Sequence, residues 1–210
     1  MILMSTIILL SIACAPKNSY TSNYNIMSST VKLDDGTEVL GKIDYPLNAV
    51  ESKVKVKDVN NETIKIDKKL ISKIICATTS GPIEYENMKV YKGWNATKIH
   101  KRRIILGTSM KGEVTLYFCN RSFRQNTGGN SSIWVSEIYY YCKRDNEPAA
   151  TLIHIDMNMK AIGKNSTFRH FGRKYFADNS EIVDKIDKRE YTYENLFEVV
   201  ALYNSKFKTK

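Results

Sequence analysis

Few side chains in this sequence could do chemistry: three histidines, four cysteines and one adjacent carboxylate pair. General acid–base work falls first to His100, His154 and His170, because imidazole titrates near neutral pH. His154 lies in Leu152-Ile153-His154-Ile155, where strand alternation puts it on the face opposite Ile153 and Ile155. A hydrogen-bonded structural histidine is expected there rather than a base. His170 sits in Phe168-Arg169-His170-Phe171-Gly172-Arg173-Lys174, on the solvated side of a basic helix. The pair Asp34-Asp35 runs into Gly36-Thr37, and turn formation accounts for both carboxylates. Paired carboxylates act catalytically through their separation in space, which a sequence leaves open. Gly-x-Ser-x-Gly, His-Glu-x-x-His and phosphate-loop patterns are absent. No Cys-x-x-Cys or histidine-rich spacing points to a metal, so neither metal nor cofactor is expected.

Cys14 is the cysteine with an assignable chemistry. Residues 1–13 contain no charged side chain and end in Leu9-Leu10-Ser11-Ile12-Ala13. The run is shorter than the roughly 20 apolar residues a spanning helix needs, and it suits the core of an export signal. A small residue directly before a cysteine resembles a bacterial lipobox, in which the thiol is acylated and the peptide is cut just before it. Residues 1–13 are therefore read as a signal peptide and Cys14 as the lipidation site. The competing reading is a non-lipidated secretory signal cut near Ala13 or Ala15. Residues 14–29 are polar and without period, as a tether would be.

The other three cysteines are read as buried free thiols. If the runs ending at Phe118 and beginning near Ile133 form a hairpin, Cys119 sits at its closed end. Cys142 then lies roughly 25 Å away at about 3.3 Å per residue, whereas a disulfide needs Cα atoms within about 7 Å. A bridge from Cys76 to one of them is the alternative. The balance of 32 basic to 22 acidic residues gives a net charge of +10, which favours anionic partners. The one dense cluster is Lys98, Lys101, Arg102 and Arg103, a candidate anion site or a solvated loop. It lacks the interleaved aromatics of single-strand nucleic-acid platforms, so nucleic acid is not expected as a partner.

The elements that would position these residues fall into two units with a boundary at Gly81-Pro82. Over residues 30–80 short strands and tight turns recur. Lys53-Val54-Lys55-Val56-Lys57 alternates strictly, with two valines inward and three ammoniums outward, and Thr63-Ile64-Lys65-Ile66-Asp67 repeats the pattern. Four or five strands at this spacing suggest a small β-barrel-like module. Residues 81–210 read as a second antiparallel sheet followed by helices. Asn120 to Ser132 is expected to be a long polar loop, and Tyr139-Tyr140-Tyr141 must point its rings to alternate faces. Phe168, Phe171, Tyr175 and Phe176 form a helical stripe, Asp178 is a candidate cap, and Thr192 a second, ahead of a buried face of Leu196, Val199, Val200 and Tyr203. The fold class expected is α+β: mainly antiparallel β with C-terminal α-helices.

The strand-turn-return of Asp35-Gly36-Thr37 and Gly41-Lys42-Ile43, with Tyr175-Phe176-Ala177-Asp178, Glu190-Tyr191 and Leu202-Tyr203-Asn204 near the end, resembles uncharacterised envelope lipoproteins of Gram-negative bacteria. That resemblance implies a small β-module followed by terminal helices, and it carries no activity. Together these readings predict an exported, lipid-anchored, non-enzymatic protein of the bacterial cell envelope, facing periplasm or cell surface. It would be held to the membrane by its anchor and would bind an envelope protein partner. The alternatives are an exported hydrolase with acid–base groups in the middle sheet, and a basic adaptor for anionic lipid or glycan acting through Lys98 to Arg103.

Overall fold

The computed structural model describes residues 25–93, 97–128, 131–157 and 163–207, so Cys14, the leader and most of the tether lie outside the described residues. Ten antiparallel strands form one sheet: β1 (Asn25–Leu33), β2 (Glu38–Tyr45), β3 (Lys53–Lys57), β4 (Thr63–Asp67), β5 (Ile71–Thr78), β6 (Gly81–Met88), β7 (Ile104–Met110), β8 (Val114–Gly128), β9 (Ser131–Arg144) and β10 (Thr151–Met157). Their order across the sheet is β10-β9-β8-β7-β6-β5-β1-β2-β3-β4. Three helices follow: α1 (Lys164–Tyr175), α2 (Ser180–Asp187) and α3 (Leu196–Ser205). The α+β class and the predominance of antiparallel strands are as the sequence predicts.

The expected small barrel is replaced by an open sheet. A short 3-10 turn, Lys68–Leu70, joins β4 to β5, although these strands lie four positions apart in the order β5-β1-β2-β3-β4. Four strand spacings amount to roughly 19 Å, whereas four residues reach at most about 14 Å. The sheet must therefore curl here. The valines of β3 and Ile66 join Val31, Ile43, Ile71, Ile74, Cys76 and Tyr85 in one buried cluster. No ladder pairs β4 with β5 or β6 among the described residues, so the curl stays unsealed. Instead β5 pairs with β6 from Lys73↔Glu86 to Thr78↔Gly81, and the ladder runs through Gly81-Pro82 into the rest of the sheet. Residues 25–29, read as tether, already pair with β2.

The predicted loop at Asn120–Ser132 is a second difference. β8 and β9 pair continuously from Val114↔Arg144 to Gly128↔Ser131. Cys119 is thus opposite Tyr139 rather than at the closed end, and Cys142 pairs with Leu116. All three described cysteines are free and buried, as expected. The residues from Asn120 onward are mostly polar on both faces, so alternation gives no strand signal. Cross-strand contacts supply the stability instead: Ser122 Oγ to Ser136 Oγ at 3.2 Å, and the Arg124 guanidinium 5.9 Å from the Trp134 ring centre.

The helices cover one face of the second half of the sheet. Phe168, Phe176, Ile182, Ile186, Leu196, Val199, Val200 and Tyr203 bury against Val114, Leu116, Cys142 and Ile153, which is the apolar face the helical periods predict. The α2 cap is Asn179, whose Oδ1 accepts the Ile182 N–H at 3.3 Å. Asp178, the expected cap, instead accepts from Arg144. Thr192 does cap, on the 3-10 turn Tyr193–Asn195 that leads into α3.

Asparagine side chains substitute for missing strand neighbours along β8. Asn204 Oδ1 accepts the Val114 N–H at 2.8 Å and its Nδ2 donates to Val114 O at 2.9 Å. Midway along β8, Asn48 Oδ1 accepts from Ser122 N at 3.2 Å and Nδ2 donates to Ser122 O at 2.9 Å. Each amide imitates a peptide group. Asn204→Leu would strand both buried backbone groups of Val114, and we expect a loss of about 2–4 kcal/mol in chemical denaturation. An unchanged midpoint would show that Val114 finds other partners.

Candidate functional site

The structure buries the three described cysteines and one of the three histidines, His154. Burial pushes the Cys76 and Cys119 thiols up to about 12 and Cys142 higher still. All three stay protonated and poorly nucleophilic at neutral pH. His154 is only 1% exposed. A bulge between Leu152 and His154 breaks the alternation of β10, so His154 turns to the helix side, beside Phe168, along with Ile153. Its ring stacks on Tyr193 at 4.8 Å and lies parallel to Tyr140 at 6.4 Å. Neither ring nitrogen has a hydrogen-bond partner, against the expectation of a hydrogen-bonded histidine. Burial lowers its pKa to about 4, with Asp156 opposing and Lys164 assisting the shift. His170 lies exposed on α1, its ring edge-on to Phe171.

The basic cluster is partly spoken for. The Arg103 guanidinium binds both carboxylate oxygens of Asp34 and donates to Lys69 O at 2.9 Å. Lys98, Lys101 and Arg102 stay exposed on the loop, which is braced by Lys89 Nζ donating to Lys101 O at 2.9 Å. His100 belongs to the same loop, with Nδ1 accepting the Arg102 N–H at 3.2 Å. Among the described residues, three of the four cations form no ion pair, and the fourth is tied to the β1–β2 turn.

A larger concentration of charge lies on the outer face of β2–β4. Register sets Lys42 directly opposite Lys57 and Lys55 opposite Lys65, with Lys53 opposite Asp67. All five lysines are exposed. The strict alternation of β3 and β4 is legible in the sequence, but the cross-strand pairing of like charges is not, because it depends on register.

Among the clefts on the described surface, two gather charged side chains. One, of about 200 Å³, is lined by Asp44, Glu51, Lys53, Lys55 and Lys68 among others. Lys68 is half-buried there, its pKa lowered by burial and partly restored by Glu51, and its Nζ donates to Asn48 O at 2.5 Å. The other, of about 430 Å³, is lined by Arg144, Glu147, Tyr175 and Asp178 among others. Neither takes in a histidine. Arg144 is held from all sides: Nη1 donates to Glu147 at 3.0 Å and Nη2 to Asp178 at 3.1 Å and the Tyr203 hydroxyl at 3.0 Å. The Tyr175 and Tyr203 rings flank it at 4.5 and 5.1 Å. No sequence signal marks this hub, whose members come from β9, the β9–β10 turn and three points in the helical segment. Among the described residues no group of three or more His, Cys, Asp or Glu is placed to hold a metal ion.

The outer part of the β8–β9 hairpin is a third feature. β7 pairs with β8 only at Leu116–Phe118, and β10 pairs with β9 only at Glu137–Cys142. Beyond these, the hairpin continues as a two-stranded ribbon about 23 Å long at roughly 3.3 Å per residue. One face carries Arg121, Phe123 and Ile133, the other Arg124 and Trp134. Arg121 stacks over Tyr139 at 4.9 Å and donates to its hydroxyl at 2.6 Å, which stiffens the base. Toward the end, Trp134 is 67% exposed and Ile133 is also open to solvent.

No family model, no curated protein and no solved structure matches this chain. Its function has to be read from its own surface.

Proposed function

We propose that the chain is an exported, lipid-anchored protein of the bacterial cell envelope that works as a binding module rather than a catalyst. The observation that carries this reading is the outer β8–β9 ribbon, where the largely exposed Trp134 stands beside Arg124 and the exposed Ile133 lies on the opposite face. A large apolar ring left in water supplies binding energy once a partner covers it, and tryptophan and arginine are among the residue types enriched at such centres. The partner proposed is another envelope protein, met on the periplasmic or outer side. The burial of Cys76, Cys119, Cys142 and His154 supports the same reading, since these four side chains face the interior, and neither of the two surface clefts takes in His100 or His170. The anchor is Cys14, where two or three acyl chains at about 0.8 kcal/mol per methylene make attachment effectively permanent.

Growth of an expressing bacterium with a radioactive fatty acid tests the anchor. The wild-type protein should take up label and sediment with membranes, and Cys14→Ala should lose both. A Cys14→Ala protein that keeps its label would refute the assignment.

A further inference from the structure

We infer that the outer face of β2–β4 is a docking surface for an anionic phospholipid bilayer, built around Lys42, Lys53, Lys55, Lys57 and Lys65. The inference rests on the proposed anchoring at Cys14 for its geometry, and not for its charge. In an antiparallel pair, directly opposed residues have Cβ atoms about 5 Å apart, and like charges so placed repel. This face carries two such pairs, Lys42 with Lys57 and Lys55 with Lys65. Asp67 stands opposite Lys53, and Asp44 lines the same cleft as Lys53 and Lys55, but among the described residues none of the five lysines forms an ion pair. Elsewhere on the same sheet the usual remedy is present, as in Lys32 with Glu38 at 2.6 Å and Lys73 and Lys111 with Glu84 at 3.4 and 2.7 Å. A partner rich in negative charge would remove the repulsion.

Two observations select a bilayer. Apolar side chains are mixed into the charge: Leu40, two residues before Lys42, is 66% exposed, and Ile26, opposite Asp44, is 54% exposed. Such a mixture suits the headgroup boundary, where ammoniums meet phosphates and short apolar groups enter between lipids. The position of the tether agrees. Cys14 lies eleven residues upstream of Asn25, so an acylated Cys14 can stand at most about 40 Å from the start of β1. Ile26, at that start, is on this face. The anchor would therefore hold the lysine face within reach of the membrane, and the face would set how the body lies on it. The loop cations Lys98, Lys101 and Arg102 are not part of this surface.

Binding of the full chain to phosphatidylglycerol vesicles and to phosphatidylcholine vesicles separates the two contributions. The acyl anchor acts on both, and the lysines act only on the first. Each lysine near an anionic surface strengthens binding about fivefold. We therefore expect Lys42→Gln, Lys55→Gln, Lys57→Gln and Lys65→Gln, combined, to reduce the preference for phosphatidylglycerol about a hundredfold or more. Binding to phosphatidylcholine and the melting temperature should be undiminished, since the substitutions remove repulsion. For the wild type, the preference should fade as salt shortens the screening length. Equal wild-type binding to both vesicles, or a combined variant that keeps the preference, overturns the inference. So does loss of the preference in a Lys98→Gln, Lys101→Gln, Arg102→Gln variant, or release of the protein from phosphatidylglycerol by duplex DNA at an equal phosphate concentration. Failure of the anchor alone would show differently, as phosphatidylcholine binding no greater for wild type than for Cys14→Ala.

Discussion

Replacing Arg144 by methionine should destabilise the fold by about 3–5 kcal/mol, the scale on which removing one partner of a buried charge cluster acts. The guanidinium is only 16% exposed, and Glu147 beside it is also largely covered. Burial alone would disfavour its charge, but hydrogen bonds with Tyr203 and Glu147 outweigh that and hold it firmly protonated. The contributions are unequal. Asp178 is 53% exposed, so that arm of the network is screened by water and adds little. The larger share comes from Glu147, which accepts from Arg144 at its N–H and its guanidinium and from the Tyr175 hydroxyl, and from the two tyrosine rings on either side. Methionine keeps the aliphatic stem's packing but deprives Glu147 of its guanidinium partner in a largely covered position. Because Arg144 ties the end of β9 to α1, to Asp178 in the α1–α2 connection and to α3, the helical layer should loosen first. Urea denaturation at neutral pH checks this; a loss below about 1 kcal/mol would mean that the cluster is surface decoration.

Acid should release the same helical layer through His154. Unfolded, the imidazole titrates at about its ordinary 6.5, and in the fold burial holds its pKa down to about 4. Above pH 6.5 the ring is neutral in both states and adds no pH dependence. Below 6.5 the unfolded chain binds a proton that the folded one refuses, so stability falls as pH falls, until the folded ring also titrates near 4. At about 1.36 kcal/mol per unit, the loss is on the order of 3 kcal/mol. The charged neighbours are Asp156 on the same strand and Lys164 on α1, which bond to each other at 2.7 Å and so largely cancel at the ring. Tyr140, Tyr193 and Phe168 complete its surroundings with aromatic faces. His154→Phe should remove this component. Wild type and variant should differ by about 3 kcal/mol more at pH 4 than at pH 7, the variant being the more stable in acid. The carboxylates also titrate in this range, but they do so in both proteins and leave the difference. Parallel pH profiles would show that His154 finds a partner in solution.

How far the fold was legible follows the range of the interactions that set it. The inward valines of β3, the apolar face of α3 and the cap at Thr192 are local patterns, and each appears where its spacing places it. The β5-β1-β2-β3-β4 curl also left its mark as short alternating strands, but whether the sheet closes depends on where β5 finds its second neighbour. It finds β6, and one continuous sheet results instead of a barrel. The ribbon was hidden because Phe123 is the only apolar residue between Asn120 and Ser132, too few to set an alternation. His154 was misplaced by a single bulge, which moves a side chain from one face to the other. The Arg144 hub and the paired lysines escaped for a common reason: each gathers residues that register or tertiary packing brings together, and no short window contains them.

The central claim concerns residues 1–14, and intact-mass spectrometry of the protein purified from bacterial membranes tests it most directly. A species that begins at Cys14 and carries the added mass of diacylglycerol is the result expected. A species that retains Met1, or one that begins at Cys14 or Ala15 without added lipid, would contradict it.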